Sequence, residues 1–414
     1  MLTEEENEAQ LGFKNVVRLG YVSLFTDISS EMIFAILPLF IVTQLGATAG
    51  VLGLIEGAAE ASNSLFRIFS GVLTDRMTKR KPLVLLGYGL SSFAKPLFAV
   101  ATSWTQAFAV RVTDRAGKGM RTSPRDALIS DSIKKSQAGK AFGVHESLDQ
   151  VGAVLGPLIA VVAFPFIAFR GIFWLSFIPA LGSLVLLLFF VKDSRRPPEK
   201  KSVFASARVV LNREFIFLLV ALSVFAVGAY DYSFILLDAS ALGVNESIIP
   251  LVYAVLNLAT VILSAPAGML ADRIGKSKTL IIGYLMFLGT SAAGFILSGS
   301  WVYAFLIAVL FGCYFSVSDT VQRAIIPDFT KPELKGTAYA LYYVMIGICS
   351  FASNSVFGFL WTAIGRSAAF EYSVVTSLIG TFALIVFITA HRRPISGSGG
   401  LGGQGVTGQG LFQH

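Results

Sequence analysis

The chain has 414 residues, 54% of them hydrophobic and 14% charged, with a mean hydropathy of +0.71. A soluble domain carries about 25% charged residues, so a soluble enzyme is excluded and an all-α integral membrane protein is implied. The net charge of +8 lies in short segments between apolar runs. That is a positive-inside pattern rather than a nucleic-acid groove.

About 20 apolar residues cross a bilayer. By that measure twelve spans are predicted, at 18–44, 50–74, 82–101, 105–128, 138–163, 168–191, 214–237, 246–270, 278–298, 300–324, 334–360 and 368–390. The start, MLTEEENEAQ, is acidic where a cleavable signal would be basic, so the first span is expected to direct insertion. Lys14, Arg18, Arg76, Lys79, Arg80, Lys81, Lys134, Lys135 and Lys140 fall on one side of the membrane. The 192–213 cluster, Arg273, Lys276, Lys278, Lys331, Lys335, Arg392 and Arg393 join them. Only Arg170 and Arg366 fall on the other, which places both termini in the cytoplasm of a bacterial inner membrane. Cys313 and Cys349 have no metal-ligand spacing and read as free thiols.

The longest hydrophilic connection follows the sixth span. It divides the chain into a bundle at 1–191, a linker at 192–213 and a second bundle at 214–392, before a Gly-rich disordered tail at 393–414. An internal repeat supports the division. GVLTDR at 71–76 recurs as GMLADR at 268–273, an offset of 197 residues (268 − 71). ALISDSIKKSQAGKAF at 127–142 recurs as AIIPDFTKPELKGTAY at 324–339, and 324 − 127 is again 197. Six is even, so the two copies share an orientation. Parallel repeats of this kind rock about a midplane site.

The loop GVLTDRMTKRK (71–81) resembles the signature loop G-x-L-x-D-R-x-G-R-K/R of the major facilitator superfamily, with Thr78 where the pattern has glycine. The second copy, GMLADRIGKSK (268–278), keeps Gly275 and carries Ser277 in place of a basic residue. Arg111 matches the membrane arginine of the family's second motif. GAVLGP, with Gly152, Gly156 and Pro157, resembles its antiporter motif. The resemblance covers residues 15–392 and implies two six-helix bundles working by alternating access. It also implies that Asp75, Arg76 and Arg80, with Asp272 and Arg273 in the second copy, form a conformational latch. An ordinary charged loop is the competing reading.

The fourth span holds RVTDRAGKGMRTSPRD at 111–126. Arg111, Arg115, Lys118, Arg121 and Arg125 recur every three or four residues, along one helical face with Asp114. Charges in a bilayer cost several kcal/mol each unless partnered, so acids are required nearby. Asp27 and Glu31, Glu56 and Glu60, and His145 and Asp149 are i, i+4 pairs on spans 1, 2 and 5. Glu146 lies beside the last pair, and Arg67 and Lys95 add further cations. The set reads either as a proton and charge network coupled to transport or as a static network of ion pairs. The second half lacks these charges: 197 residues on, Glu56 becomes Tyr253 and Arg111 becomes Ala308. Its polar groups Tyr230, Asp231, Asn257, Asp319, Arg323, Tyr339, Tyr342 and Tyr343 are expected to line a substrate cavity. The competing reading is core or interfacial tyrosines.

No phosphate loop, metal-ligand spacing or nucleophile–base motif is present, so neither enzymatic activity nor a cofactor or metal is expected. Read with the resemblance, the chain is a monomeric secondary transporter in the lipid bilayer. Its partners are a small-molecule substrate and protons, or sodium held by the same acids. Export of an organic molecule or drug rests on GAVLGP. Uptake of an anionic metabolite on the span 4 cations, and a non-transporting receptor, are the alternatives.

Overall fold

A computed structural model describes residues 4–134, 137–193, 209–331 and 334–390, with no strand among them. Lys135, Arg392, Arg393, most of the predicted linker and the whole tail lie outside the described residues. The helices are α1 (Glu4–Phe34), α2 (Ala49–Arg76), α3 (Lys81–Ala94), α4 (Trp104–Asp131) and α5 (Ala138–Phe189). They continue as α6 (Arg213–Ala226), α7 (Tyr232–Ala241), α8 (Ile249–Ile274), α9 (Lys276–Ile296), α10 (Val302–Ile325), α11 (Lys335–Ala363) and α12 (Arg366–Ala390). Short turns at Leu37–Leu39 and Phe40–Gln44 carry α1 onward.

Among the described residues eight helical stretches are long and apolar enough to cross a membrane, and one of them, α5, is long enough to cross twice. At 52 residues, a straight α5 would run far beyond the ~30 Å hydrocarbon core. It is two helices meeting at a kink at Ala168, whose φ of 49° is non-helical, and these are the predicted fifth and sixth spans. The second and fourth spans, α2 and α4, are too polar to count as apolar helices. The seventh is divided. Twelve crossings result, in two six-helix bundles.

The seventh span was expected to be one helix at 214–237, and here the structure differs. The chain unwinds between Ala226 and Tyr232, where Gly228 weakens the helix and Asp231 offers an N-cap, accepting from the Ser233 N–H at 2.9 Å. Unwound backbone at membrane depth is tolerated only where protein satisfies it. Tyr372 and Ser373 donate to the Val227 and Gly228 carbonyls at 2.8 Å each. Ser353 donates to the Ala229 carbonyl at 3.0 Å, and the Asp231 N–H donates to Asn354 Oδ1 at 2.8 Å.

The packing is pseudo-symmetric. α2 and α3 pack on α4 in the first half, as α8 and α9 pack on α10 in the second. Between halves, α2 meets α11 and α8 meets the first limb of α5. The same symmetry holds at the repeated loops. Arg80 pairs with Asp131 at 3.4 Å, and Lys276 pairs with Asp328, 197 residues beyond Asp131, at 2.7 Å.

With twelve crossings, the start of α1 and the end of α12 fall on one face, here the terminal side. Away from it, α2 and α11 are sealed backbone to backbone. The Gly50 N–H donates to Thr362 Oγ1 at 2.8 Å, and a Cβ at Gly53 would meet the Asn354 carbonyl at 2.0 Å. Toward the terminal side, α5 and α8 part around a groove of about 640 Å³ lined by Glu146, Ser147, Gln150 and Ser264 among apolar side chains. Overpacking a tight contact costs about 1–3 kcal/mol. Gly53→Leu is therefore expected to lower the thermal unfolding temperature by several degrees. Gly89→Leu, where nothing lies within 4 Å of the added carbon, is expected to leave it unchanged.

Candidate functional site

Arg111 is wholly buried, and its guanidinium is held on three sides. Nη2 donates to Glu56 Oε2 at 2.7 Å and Nε to the same oxygen at 3.1 Å. Nη2 also donates to Tyr232 Oη at 3.1 Å, and the group stacks 4.2 Å over the Phe34 ring. Asp114 lies 3.8 Å away, with its carboxylate accepting from Ser91 at 2.6 Å. Arg115 shares the Phe34 ring, at 4.7 Å. The acids demanded by the span 4 cations are thus present, and the second half contributes Tyr232.

A second contact joins the halves. Tyr253 donates to Glu31 Oε2 at 2.7 Å. Asn257 donates to the same oxygen at 3.3 Å and to the Ala153 carbonyl at 2.9 Å. Gly152 and Gly156 seat α5 against α1 here. A Cβ at Gly152 would meet the Leu24 carbonyl at 2.7 Å, and one at Gly156 the Ile28 carbonyl at 2.8 Å. The glycine motif, followed by Pro157, therefore fixes the height of Asp27 and Glu31 by close packing.

The remaining first-half charges form a descending chain. Lys95 is fully buried, with Nζ 3.3 Å from Ser29 Oγ. Arg121 lies 3.9 Å from Asp27 and stacks 4.4 Å over Tyr88. Arg125 reaches Asp126 at 3.0 Å and Ser23 at 3.2 Å, and Ser23 donates in turn to Asp149. His145 is buried, with Nε2 unpartnered. Glu60 accepts from Asn63 at 3.1 Å, and Glu146, exposed in the α5–α8 groove, accepts from Gln150 at 3.1 Å. Lys118 is half-buried beside this chain.

The second-half candidates separate into groups. Tyr230 is packed among Phe287, Phe311, Phe357 and Phe370, at ring distances of 4.4–5.9 Å. Tyr342 donates to Gln322 at 2.8 Å in a buried pair, and Tyr343 receives Arg67 over its ring at 4.2 Å. Asp319 and Arg323 pair with each other, about 45% exposed, and Tyr339 donates to the Arg323 carbonyl at 2.9 Å. Asp231 caps α7 beside Tyr232. Asp75 and Arg76 are exposed at the end of α2, as Asp272 and Arg273 are at the end of α8. Arg80 instead turns back into its own bundle, on the Thr74 carbonyl and Asp131.

Four interface residues were absent from the predicted site. Phe34 lies three residues beyond Glu31, on the Asp27–Glu31 stripe. Tyr253 is the repeat counterpart of Glu56. Tyr232 follows an N-cap that marks the break. Asn354, which supports that break, had no sequence signal. Removing one partner of a buried ion pair costs about 3–5 kcal/mol, and removing both costs less. Glu56→Gln is accordingly expected to lower the unfolding temperature more than the Glu56→Gln/Arg111→Gln double variant does, measured in one detergent.

The sequence and fold place this arrangement among known proteins. The model of the family described as Major Facilitator Superfamily matches residues 19–239 and 216–411. An uncharacterized MFS-type transporter of Methanocaldococcus jannaschii is 32% identical over 387 residues, covering 92% of this chain and 96% of its own. The quinolone resistance protein NorA of Staphylococcus aureus is 29% identical over 126 residues, 30% of this chain and 32% of its own. An autoinhibited POT family peptide transporter has the same fold, with a TM-score of 0.77 at 12% identity over 92% of this chain and 97% of its own. The nucleoside transporter NupG does too, at 0.76 and 9% identity over 91% of this chain and all of its own. The chain belongs to the Major Facilitator Superfamily, as a multi-pass integral membrane transporter.

Proposed function

We propose that this chain is a proton-coupled antiporter, exporting a small organic molecule across a bacterial cytoplasmic membrane as a monomer with both ends in the cytoplasm. The observation that carries the coupling is the ligation of Glu31. Its carboxylate belongs to the first half, but both donors to one oxygen, Tyr253 and Asn257, belong to the second. A bundle motion that parts α1 from α8 removes both donors at once. A carboxylate stripped of its donors in a low-dielectric seam is satisfied by binding a proton. When the halves close again, the donors displace that proton to the terminal side, where the α5–α8 groove opens.

Arg111 and Glu56 remain paired to each other and report the motion through Tyr232. Asp75 and Arg76, with Asp272 and Arg273, sit at the ends of the two helices that must move relative to one another. They serve as the latch of the terminal face. The similarity to NorA over part of the chain and the Gly152–Gly156 contact support export. The positive-inside distribution of Lys and Arg supports the orientation.

The test uses purified protein in proteoliposomes with an imposed pH gradient and a fluorescent quinolone. Inward proton movement is expected to drive the quinolone the other way. Glu31→Gln is expected to lose gradient-driven flux at least tenfold while retaining exchange without a gradient. Flux driven equally by a sodium gradient at constant pH would contradict proton coupling. Undiminished gradient-driven flux in Glu31→Gln would contradict the role of that residue.

A further inference from the structure

The acids of the first half have partners of their own. Glu56 Oε2 accepts from Nε and Nη2 of Arg111, while Oε1 has no hydrogen-bond partner, and Glu31 accepts from Tyr253 and Asn257. Asp114 accepts from Ser91, Asp27 faces Arg121, and Glu60 accepts from Asn63. Arg115 is different. It is 8% exposed, and among the described residues no carboxylate lies within 4.0 Å of it. Its Nε is a buried donor without an acceptor, as is Nη1 of Arg111 one turn away. A buried donor left unsatisfied costs about 1–3 kcal/mol, more when charged.

The neighbouring groups are of the same kind. Arg111 and Arg115 both stack on Phe34, so that ring orients the two guanidinium planes. Tyr232 is half-buried and accepts from Arg111, which leaves its own O–H free to donate. Its ring lies 6.5 Å from that of Phe34. Lys118 follows Arg115 by three residues on the same helical face, half-buried, with Asp27 and Glu31 as its nearest acids and no ion pair within 4.0 Å among the described residues.

We infer that Arg115, with Tyr232, Lys118 and Nη1 of Arg111, which makes no hydrogen bond and lies 3.8 Å from Asp114, forms a binding site for an anionic group, a carboxylate or phosphate carried by the transported molecule. A guanidinium matches the two oxygens of such a group with parallel N–H bonds. Phe34 excludes water from one side of it. The site draws on both halves, because Tyr232 is held by the broken seventh span. An anion seated here therefore favours the conformation in which α4 and α7 meet. This inference rests on the reading of the chain as a transporter of small organic molecules, and it sets their charge.

The test is ligand-induced thermal stabilisation of the full chain in detergent, without any gradient. The probes are benzoate, phenyl phosphate and tetraphenylphosphonium. Benzoate or phenyl phosphate is expected to raise the unfolding temperature in a saturable way. Arg115→Gln abolishes that shift, Arg115→Lys weakens the apparent affinity about tenfold, and Arg213→Gln, exposed at the start of α6, preserves it. Repeating the titration in nanodiscs separates two sources of the same chemistry. Competition by phosphatidylglycerol assigns the site to a lipid headgroup, and its absence assigns it to a soluble solute. Stabilisation by tetraphenylphosphonium alone would overturn the inference. So would an anion-induced shift that survives in both Arg115 variants. Because binding is read at uniform pH, failure here leaves the coupling role of Glu31 standing. Failure of gradient-driven flux with anion binding intact would do the reverse.

Discussion

The structure depends on keeping the cations of one helix, α4, inside a bilayer. Isolated charges at that depth are expensive, and Arg111 has no exposed surface at all. Glu56 is the group that makes it tolerable, with Phe34 beneath the guanidinium plane and Tyr232 at its far edge. Much of the first half follows from that requirement. α2 and α4 must pack closely enough for the pair to form, so a Cβ at Gly119 would meet the Asn63 carbonyl at 2.3 Å. α1 must bring Phe34 and Glu31 to the same height, which the glycines of α5 arrange.

The second half answers the first with neutral groups. Where the first half has Glu56, the second has Tyr253, and that tyrosine is spent on a first-half acid, Glu31. The duplication therefore produced complementary partners across a seam. The broken seventh span serves the same end. An unbroken helix would follow a different register past Ala226. Unwinding points Tyr230 into an aromatic core and leaves Tyr232 at the interface. The freed backbone groups are bound by Ser353, Asn354, Tyr372 and Ser373, so the break is a built feature of the second bundle.

The span count, the 197-residue repeat and the need for acids opposite Arg111 were all legible in the sequence. Hydropathy and charge are properties of local stretches, and each leaves a periodic trace. The break in the seventh span was missed although Gly228 and Asp231 mark it, because the hydropathy of a whole span outweighs two local helix-ending signals. Tyr230 was placed in the cavity set, whereas the break turns it into the aromatic core and brings Tyr232, two residues on, to the interface. The turn between the fifth and sixth spans, at Ala168, falls at the predicted start of the sixth. That Arg111 takes Glu56, 55 residues away, is decided by helix packing, and composition carries no record of it.

If Glu31 exchanges its donors from the second half for a proton as the bundles move, then protonation and seam opening are one event. Spin labels at Gln44 and Ala241, both exposed on the sealed side, read that event directly by distance measurement across the seam. Acidification is expected to lengthen the distance in the otherwise native chain. Glu31→Gln is expected to hold it long at every pH. An identical pH response in the two proteins would contradict the coupling.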